Sequence, residues 1–166
     1  MKALVIYTSH YGNTKAIAEA IGEGLRAFGI ARVAPVEDAS GLLSEKFDLL
    51  LIGGPTEQRD MTEPMACFFD RLERDTLRGT AVAVFDTRLQ WPRWMSGSAA
   101  ARIEARLRKA GAHVVTPDES FFVKAGGASD RHPPVLEDGE LDRARAWATS
   151  VARTAMAGAS TGAGQA

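Results

Sequence analysis

Unbroken apolar runs alternating with helical stripes organise this chain from its first residues. Ala3-Leu4-Val5-Ile6-Tyr7 is rich in β-branched and aromatic side chains and interrupted by no polar residue, the pattern of a strand covered on both faces. Beyond it Ile17, Ala18, Ile21, Leu25 and Phe28 recur at helical spacing, and Gly29 supplies a stop. A short edge strand over 31–36 tolerates Pro35, Glu37 to Lys46 reads as a polar connection, and Phe47 to Ile52 is a second buried strand ending at Gly53-Gly54. Pro64 suits the first turn of a helix whose inner face is Met65, Phe68, Phe69, Leu72 and Leu77, closed by Gly79. Ala81 to Phe85 is another buried strand. Ser96-Gly97-Ser98 caps a helix with the stripe Ile103, Leu107 and Ala110, and 113–115 with 120–123 form a last strand interrupted around Pro117. A loop over 125–138 leads to a final helix from about Gly139 to Met156. Strands alternating with helices predict an α/β fold, a three-layer doubly wound sandwich on a five-stranded, mostly parallel sheet. One domain is expected over 1–156, with a flexible C-terminal tail over 157–166.

Ligands of such sheets sit beyond the carboxyl ends of the strands, where strand order reverses. Three loops converge there: Thr8 to Thr14, Pro55 to Glu63, and Asp86 to Met95. The first joins a strand to a helix, so the free N–H groups of the first helical turn and the positive end of its dipole face the space beyond the strand. Thr8, Ser9, Asn13 and Thr14 add short hydroxyl and amide groups, and Gly12 lets the backbone approach closely. This chemistry suits a phosphate.

Composition narrows the reading without redirecting it. The 166 residues are enough for one domain with a substantial core; 45% are hydrophobic, 25% are charged, and the net charge of −1 advertises no nucleic-acid or membrane partner. No apolar run approaches the roughly twenty residues that span a bilayer, and the expected location is cytoplasmic. Cys67 is the only cysteine, so an intramolecular disulfide is impossible; its place in a helical segment predicts a buried, unreactive thiol. No metal-ligand spacing and no Ser-His-Asp order stand out, so no catalytic residue or metal site is assigned. Arg102, Arg106, Arg108 and Lys109 share a helix with Glu104 and read as a solvated face.

The segment Val5-Ile6-Tyr7-Thr8-Ser9-His10-Tyr11-Gly12-Asn13-Thr14-Lys15-Ala16-Ile17-Ala18-Glu19-Ala20-Ile21 resembles the flavodoxin signature at each constrained position and in the required strand-loop-helix context. The resemblance implies a short-chain flavodoxin-like sheet with strand order 2-1-3-4-5 and non-covalently bound FMN. It implies that Ser9, His10, Tyr11, Asn13 and Thr14 hold the FMN phosphate, within a loop completed by Thr8 and Gly12, and that Thr56 lies near it. Pro55 and Glu57 beside Thr56, and Thr87 and Arg88 in the third loop, complete the expected cofactor contacts.

Two loops depart from that pattern. Where flavodoxins often present an aromatic ring and then a glycine whose peptide flips towards flavin N5, this chain has Glu57-Gln58-Arg59-Asp60-Met61. Positive φ is penalised once a Cβ is present, so the one-electron-reduced flavin is expected to accumulate weakly. In the third loop Trp91, with Trp94 as runner-up, offers an indole to the flavin face, and Arg88 and Arg93 bring cations where flavodoxins bring carboxylates. A cation there favours the anionic reduced flavin and raises the second reduction potential. His10 donates to the phosphate on this reading, His113 is structural, and His132 reaches the cofactor only if its loop folds over the site.

The expectation is therefore an FMN redox protein that is not an acidic low-potential shuttle. It would exchange electrons with a redox partner protein, a reductase or an acceptor. The alternative is an oxidoreductase acting on a small organic substrate, resembling the flavodoxin-type quinone reductases or protoporphyrinogen oxidases; the long basic and aromatic insertion of the oxidases is not evident. A third reading keeps the phosphate loop for another phosphorylated ligand.

Overall fold

A computed structural model of the chain describes residues 1–58, 60–73, 75–126 and 133–162. Its elements are β1 (Lys2–Tyr7), α1 (Asn13–Leu25), β2 (Ile30–Pro35), α2 (Val36–Leu42), β3 (Leu49–Pro55), α3 (Glu63–Arg71) and β4 (Ala81–Leu89). There follow α4 (Arg93–Ser96), α5 (Ala99–Lys109), β5 (His113–Val114), β6 (Glu119–Lys124), β7 (Val135–Leu136) and α6 (Glu140–Gly162). The strands form one sheet in the order β2-β1-β3-β4-β6-β7, with β5 also on β4. Leu4 lies between Arg32 and Leu50, so strand order reverses at β1.

Alternation within each strand fills both layers. Leu4, Ile6, Leu50, Ile52, Val82 and Val84 meet Met65, Phe68, Ile103 and Leu107 on one face. Ala3, Val5, Leu49, Leu51, Ala83 and Phe85 meet Ile17, Ile21, Leu25, Ala148 and Val151 of α1 and α6 on the other. Helices α1 and α6 approach closely at Gly24, where a Cβ would stand 2.6 Å from the Arg145 carbonyl oxygen.

The interruption expected around Pro117 is present, while several other expectations change. The fifth parallel strand is present as two pieces on one edge of β4: Val82 pairs with Val114, Phe85 with Glu119, and the gap falls around Pro117. The sheet also gains an antiparallel edge strand, β7, paired with Val123 and Lys124; two residues are too few to show a period. The supposed polar connection after Pro35 contains α2, which buries Val36 and Ala39 and carries Glu37 and Asp38 in its first turn. Helix α3 ends at Arg71, and Leu77 is buried from a turn instead. Cys67 is exposed, because the inner stripe of Met65, Phe68 and Phe69 leaves it on the outer side of α3. The last helix runs past Met156 to Gly162. Most consequential for the site, β4 runs to Leu89, so Asp86, Thr87 and Arg88 lie on a strand held by β6 and not on a loop.

Candidate functional site

A cleft of about 290 Å³ opens at the carboxyl ends of β1, β3, β4 and β6. Ser9, His10, Tyr11, Asn13 and Thr14 wall it on one side, Pro55, Thr56 and Glu57 on a second, and Thr87 and Arg88 on the floor. Ten of the fourteen residues expected from the sequence therefore converge. Leu89, Val123, Ala125, Gly126 and Pro134 complete the wall, and no local pattern in the sequence singles them out. A larger groove of about 1160 Å³ lies at the opposite end of the sheet, beside Met1, Asp48, Ala81 and His113; it contains none of the expected residues.

The β1–α1 loop is built locally. Gly12 caps α1 at φ 89°, a left-handed conformation, while a Cβ there would meet nothing within 4 Å. The glycine is thus required by its backbone angle and not by lack of room. The Ala16 N–H reaches the Gly12 carbonyl at 3.0 Å to start the helix, and the Gly12 N–H donates to Ser9 Oγ at 3.1 Å. His10 and Tyr11 meet edge to face, with ring centroids 4.5 Å apart. Thr8 is buried below the loop, where its Oγ1 accepts from Thr62 Oγ1 at 3.0 Å, and it does not reach the cleft wall. At the end of β1, burial pushes the Tyr7 phenol above its ordinary pKa; Glu19, Glu37 and Asp38 act in the same direction.

Several expected phosphate donors already have partners. Thr14 and Thr87, both buried, share a hydrogen bond of 2.7 Å between their hydroxyls. The Asn13 amide donates to the Pro134 carbonyl at 2.8 Å, tying the first loop to the segment before β7. Thr56 Oγ1 donates to Asp86 Oδ2 at 3.1 Å and accepts from the Ala99 N–H at 2.9 Å. A phosphate would find the N–H groups at the start of α1 with Ser9 and His10 around them, and would compete for Asn13 and Thr14. That donor set fits a phosphate ester, which needs many neutral donors and no fixed counter-charge.

The third strand end is built from distant parts. Asp86 is fully buried, and its Oδ2 accepts from Thr56 Oγ1, from Ser98 Oγ at 2.7 Å and from the Ala100 N–H at 3.1 Å. It fastens the start of α5 to the loop after β3. Asp86 Oδ1 has no hydrogen-bond partner among the described residues and stands 3.9 Å from Arg88 Nε. Arg88 Nε donates to Ser120 Oγ at 3.0 Å, and its Nη1 donates to the carbonyls of Leu89 (3.3 Å) and Trp91 (2.7 Å) and to Ser96 Oγ (3.1 Å). The guanidinium carbon also lies 5.2 Å from the centre of the Phe122 ring.

Because Arg88 holds the chain this way, Trp91 and Trp94 lie outside the cleft wall, 51% and 74% exposed. Both were expected to face the flavin; in the cleft as it stands neither lines the wall. Gly12 acts as the helix cap and is not part of the wall. In the second loop Glu57 and Asp60 exchange backbone hydrogen bonds of 3.0 and 2.8 Å, and Gln58 stands at φ 46°. Arg59 and His132 lie outside the described residues, as does the side chain of Arg93. On the basic face of α5, Arg106 pairs with Asp70 at 3.0 Å and Arg108 with Glu104 at 2.8 Å. Among the described residues no acidic, histidine or cysteine group forms a metal cluster, and no helix is long and apolar enough to cross a membrane.

A family profile described as Flavodoxin matches residues 5–147. The chain is 30% identical over 104 residues to an NAD(P)H dehydrogenase (quinone) of Gluconacetobacter diazotrophicus, covering 49% of this chain and 51% of that protein. It spans about half the length of the curated relatives it matches. Among solved structures, a flavodoxin from the domain Archaea superposes with a TM-score of 0.71 at 25% identity, covering 94% of this chain and 99% of the other. Flavodoxin 2 of Bacillus cereus superposes with a TM-score of 0.73 at 25% identity, covering 92% and 99%.

Proposed function

Because this chain belongs to the flavodoxin family, whose cofactor is FMN, we propose that the cleft between the first and second loops holds FMN with its phosphate at the start of α1. The observation that carries this reading is Gly12, whose left-handed backbone opens the N-terminus of α1 onto the cleft at the point where strand order reverses. The N–H groups of the first helical turn, Ser9, His10 and Tyr11 receive the phosphate; Thr14 joins once its bond to Thr87 is exchanged, and Asn13 once it releases Pro134. Pro55, Thr56, Glu57, Thr87 and Arg88 line the remainder. FMN held there would supply the electron-transfer chemistry. The protein's part is to orient the ring, exclude water from its inner side and set the local charge. Arg88 contributes a permanent cation beside the cleft, partly offset by Asp86.

We propose that the protein passes electrons to a redox partner in the cytoplasm, where an exposed lone thiol such as Cys67 stays reduced. The net charge of −1 supplies little long-range steering, unlike that of an acidic shuttle. A second reading, reduction of a small quinone-type acceptor, is favoured by the exposed indoles beside the cleft and by the name of the curated relatives. Reconstitution with FMN followed by a redox titration tests the site. The expected result is a yellow protein with one FMN per chain; a chain that stays colourless in excess FMN overturns the assignment.

A further inference from the structure

Three large apolar side chains stand out on one short segment beside the cleft: Trp91 is 51% exposed, Trp94 74% and Met95 47%. Water-facing indoles are costly, and here they are not on a slack loop. The segment is fastened from beneath by the Arg88 guanidinium, whose side chain is only 9% exposed. That one group donates to Leu89 O, Trp91 O and Ser96 Oγ within the segment and to Ser120 Oγ on β6. Two further bonds, Trp91 N–H to Leu89 O at 2.7 Å and Met95 N–H to Pro92 O at 2.8 Å, tighten it from within. Leu89, where the segment leaves β4, is itself part of the cleft wall, so the segment is continuous with the site.

We propose that Arg88 is a positioning residue that holds Trp91, Trp94 and Met95 as a rigid apolar shelf beside the cleft, and that this shelf binds the ring of a planar aromatic acceptor of the quinone class. The substrate class rests on the second reading above; the binding claim rests on the shelf alone. A flat ring suits it because an indole face and a thioether both contact π-systems favourably. The shelf is also too small to be the core of a protein interface, which takes roughly 20–30 residues a side. Its rigidity matters for affinity, since binding then orders no loop.

The test uses 2-methyl-1,4-naphthoquinone as probe and tryptophan fluorescence as readout, first without cofactor and then on the FMN-loaded protein. Trp147 is the internal reference, packed against Phe85 and Phe121 with ring centroids 6.3 and 5.9 Å away. Wild type is expected to show saturable quenching, with W91A and W94A each weakening the apparent affinity about tenfold. Both indoles face water, so these variants should fold. R88K keeps the charge but loses the planar fork. It is expected to weaken probe binding about fivefold and to raise the mobility of the indoles in fluorescence anisotropy decay, at unchanged helix content. Purely collisional quenching overturns the proposal, whether the patch is then inert or docks a protein. Quenching that persists in the double variant W91A/W94A overturns it, as does R88K behaving like wild type. Loss of FMN on changing Trp91 or Trp94 also overturns it, because the indoles would then serve the cofactor. Failure of FMN to bind leaves the cofactor-free arm intact and counts against the cofactor assignment alone.

Discussion

The two ends of the cleft are made in different ways. The end proposed for the phosphate, around Thr8 to Thr14, follows a strand with a tight loop and a helix start contiguous in sequence, and its defining angle belongs to one glycine. The opposite end is assembled from β3, β4, α5 and β6 by two charges held out of water, Asp86 and Arg88, whose partners lie up to 32 residues away. The first end takes its shape from Gly12, and its long-range bonds, Thr8 with Thr62, Asn13 with Pro134 and Thr14 with Thr87, each join a single pair, so a changed side chain there costs one bond. Distributed construction makes the second end brittle, since removing one group leaves several buried partners unsatisfied.

That contrast should show most strongly at Asp86. D86A leaves Arg88 without its carboxylate and Thr56, Ser98 and the Ala100 N–H without an acceptor. It should destabilise the fold by about 3–5 kcal/mol in urea denaturation, with D86N recovering part. A loss below about 1 kcal/mol would erase the distinction between the two ends. T14A should weaken FMN binding by about 1–2 kcal/mol, near tenfold, in a fluorescence titration, and, because it removes the partner of the buried Thr87 hydroxyl, should lower stability by about 1 kcal/mol, less than D86A does. Unchanged FMN affinity would mean that the phosphate lies elsewhere. Q58G removes the Cβ from a left-handed position in the second loop and should raise stability by about 0.5 kcal/mol by thermal melting. The smallest effect lies far from the cleft. Hydrogen bonds from Lys2 and then Arg32 hold the Glu45 carboxyl below its ordinary pKa. A lowered folded-state pKa contributes stability above the unfolded value and loses it as pH falls through the folded one. E45Q should therefore be slightly less stable than wild type at neutral pH, with the difference vanishing in acid.

The same division explains what could be read from the chain. The buried strands, the β1–α1 loop and the Ser98 cap follow from short patterns, and Ser98 Oγ does accept from the Ala101 N–H at 3.3 Å. The extent of β4 was hidden because Asp86, Thr87 and Arg88 look like loop residues until β6 pairs with them at Ser120, Phe121 and Phe122. Trp91 and Trp94, read as cofactor-stacking residues, follow this strand on a segment fastened by Arg88. Cys67 misled because one helix presents both a buried and an exposed side, and a lone thiol does not declare which it occupies.

The divided fifth strand has a consequence for how this chain tolerates change. His113–Val114 and Glu119–Lys124 each pair with β4 independently, so the joint between them bears no ladder of its own. Lengthening a loop costs only about 0.6 kcal/mol per doubling. Extra residues spliced in around Pro117 should leave both half-strands registered, making this the place where the domain can acquire a new segment without refashioning its centre.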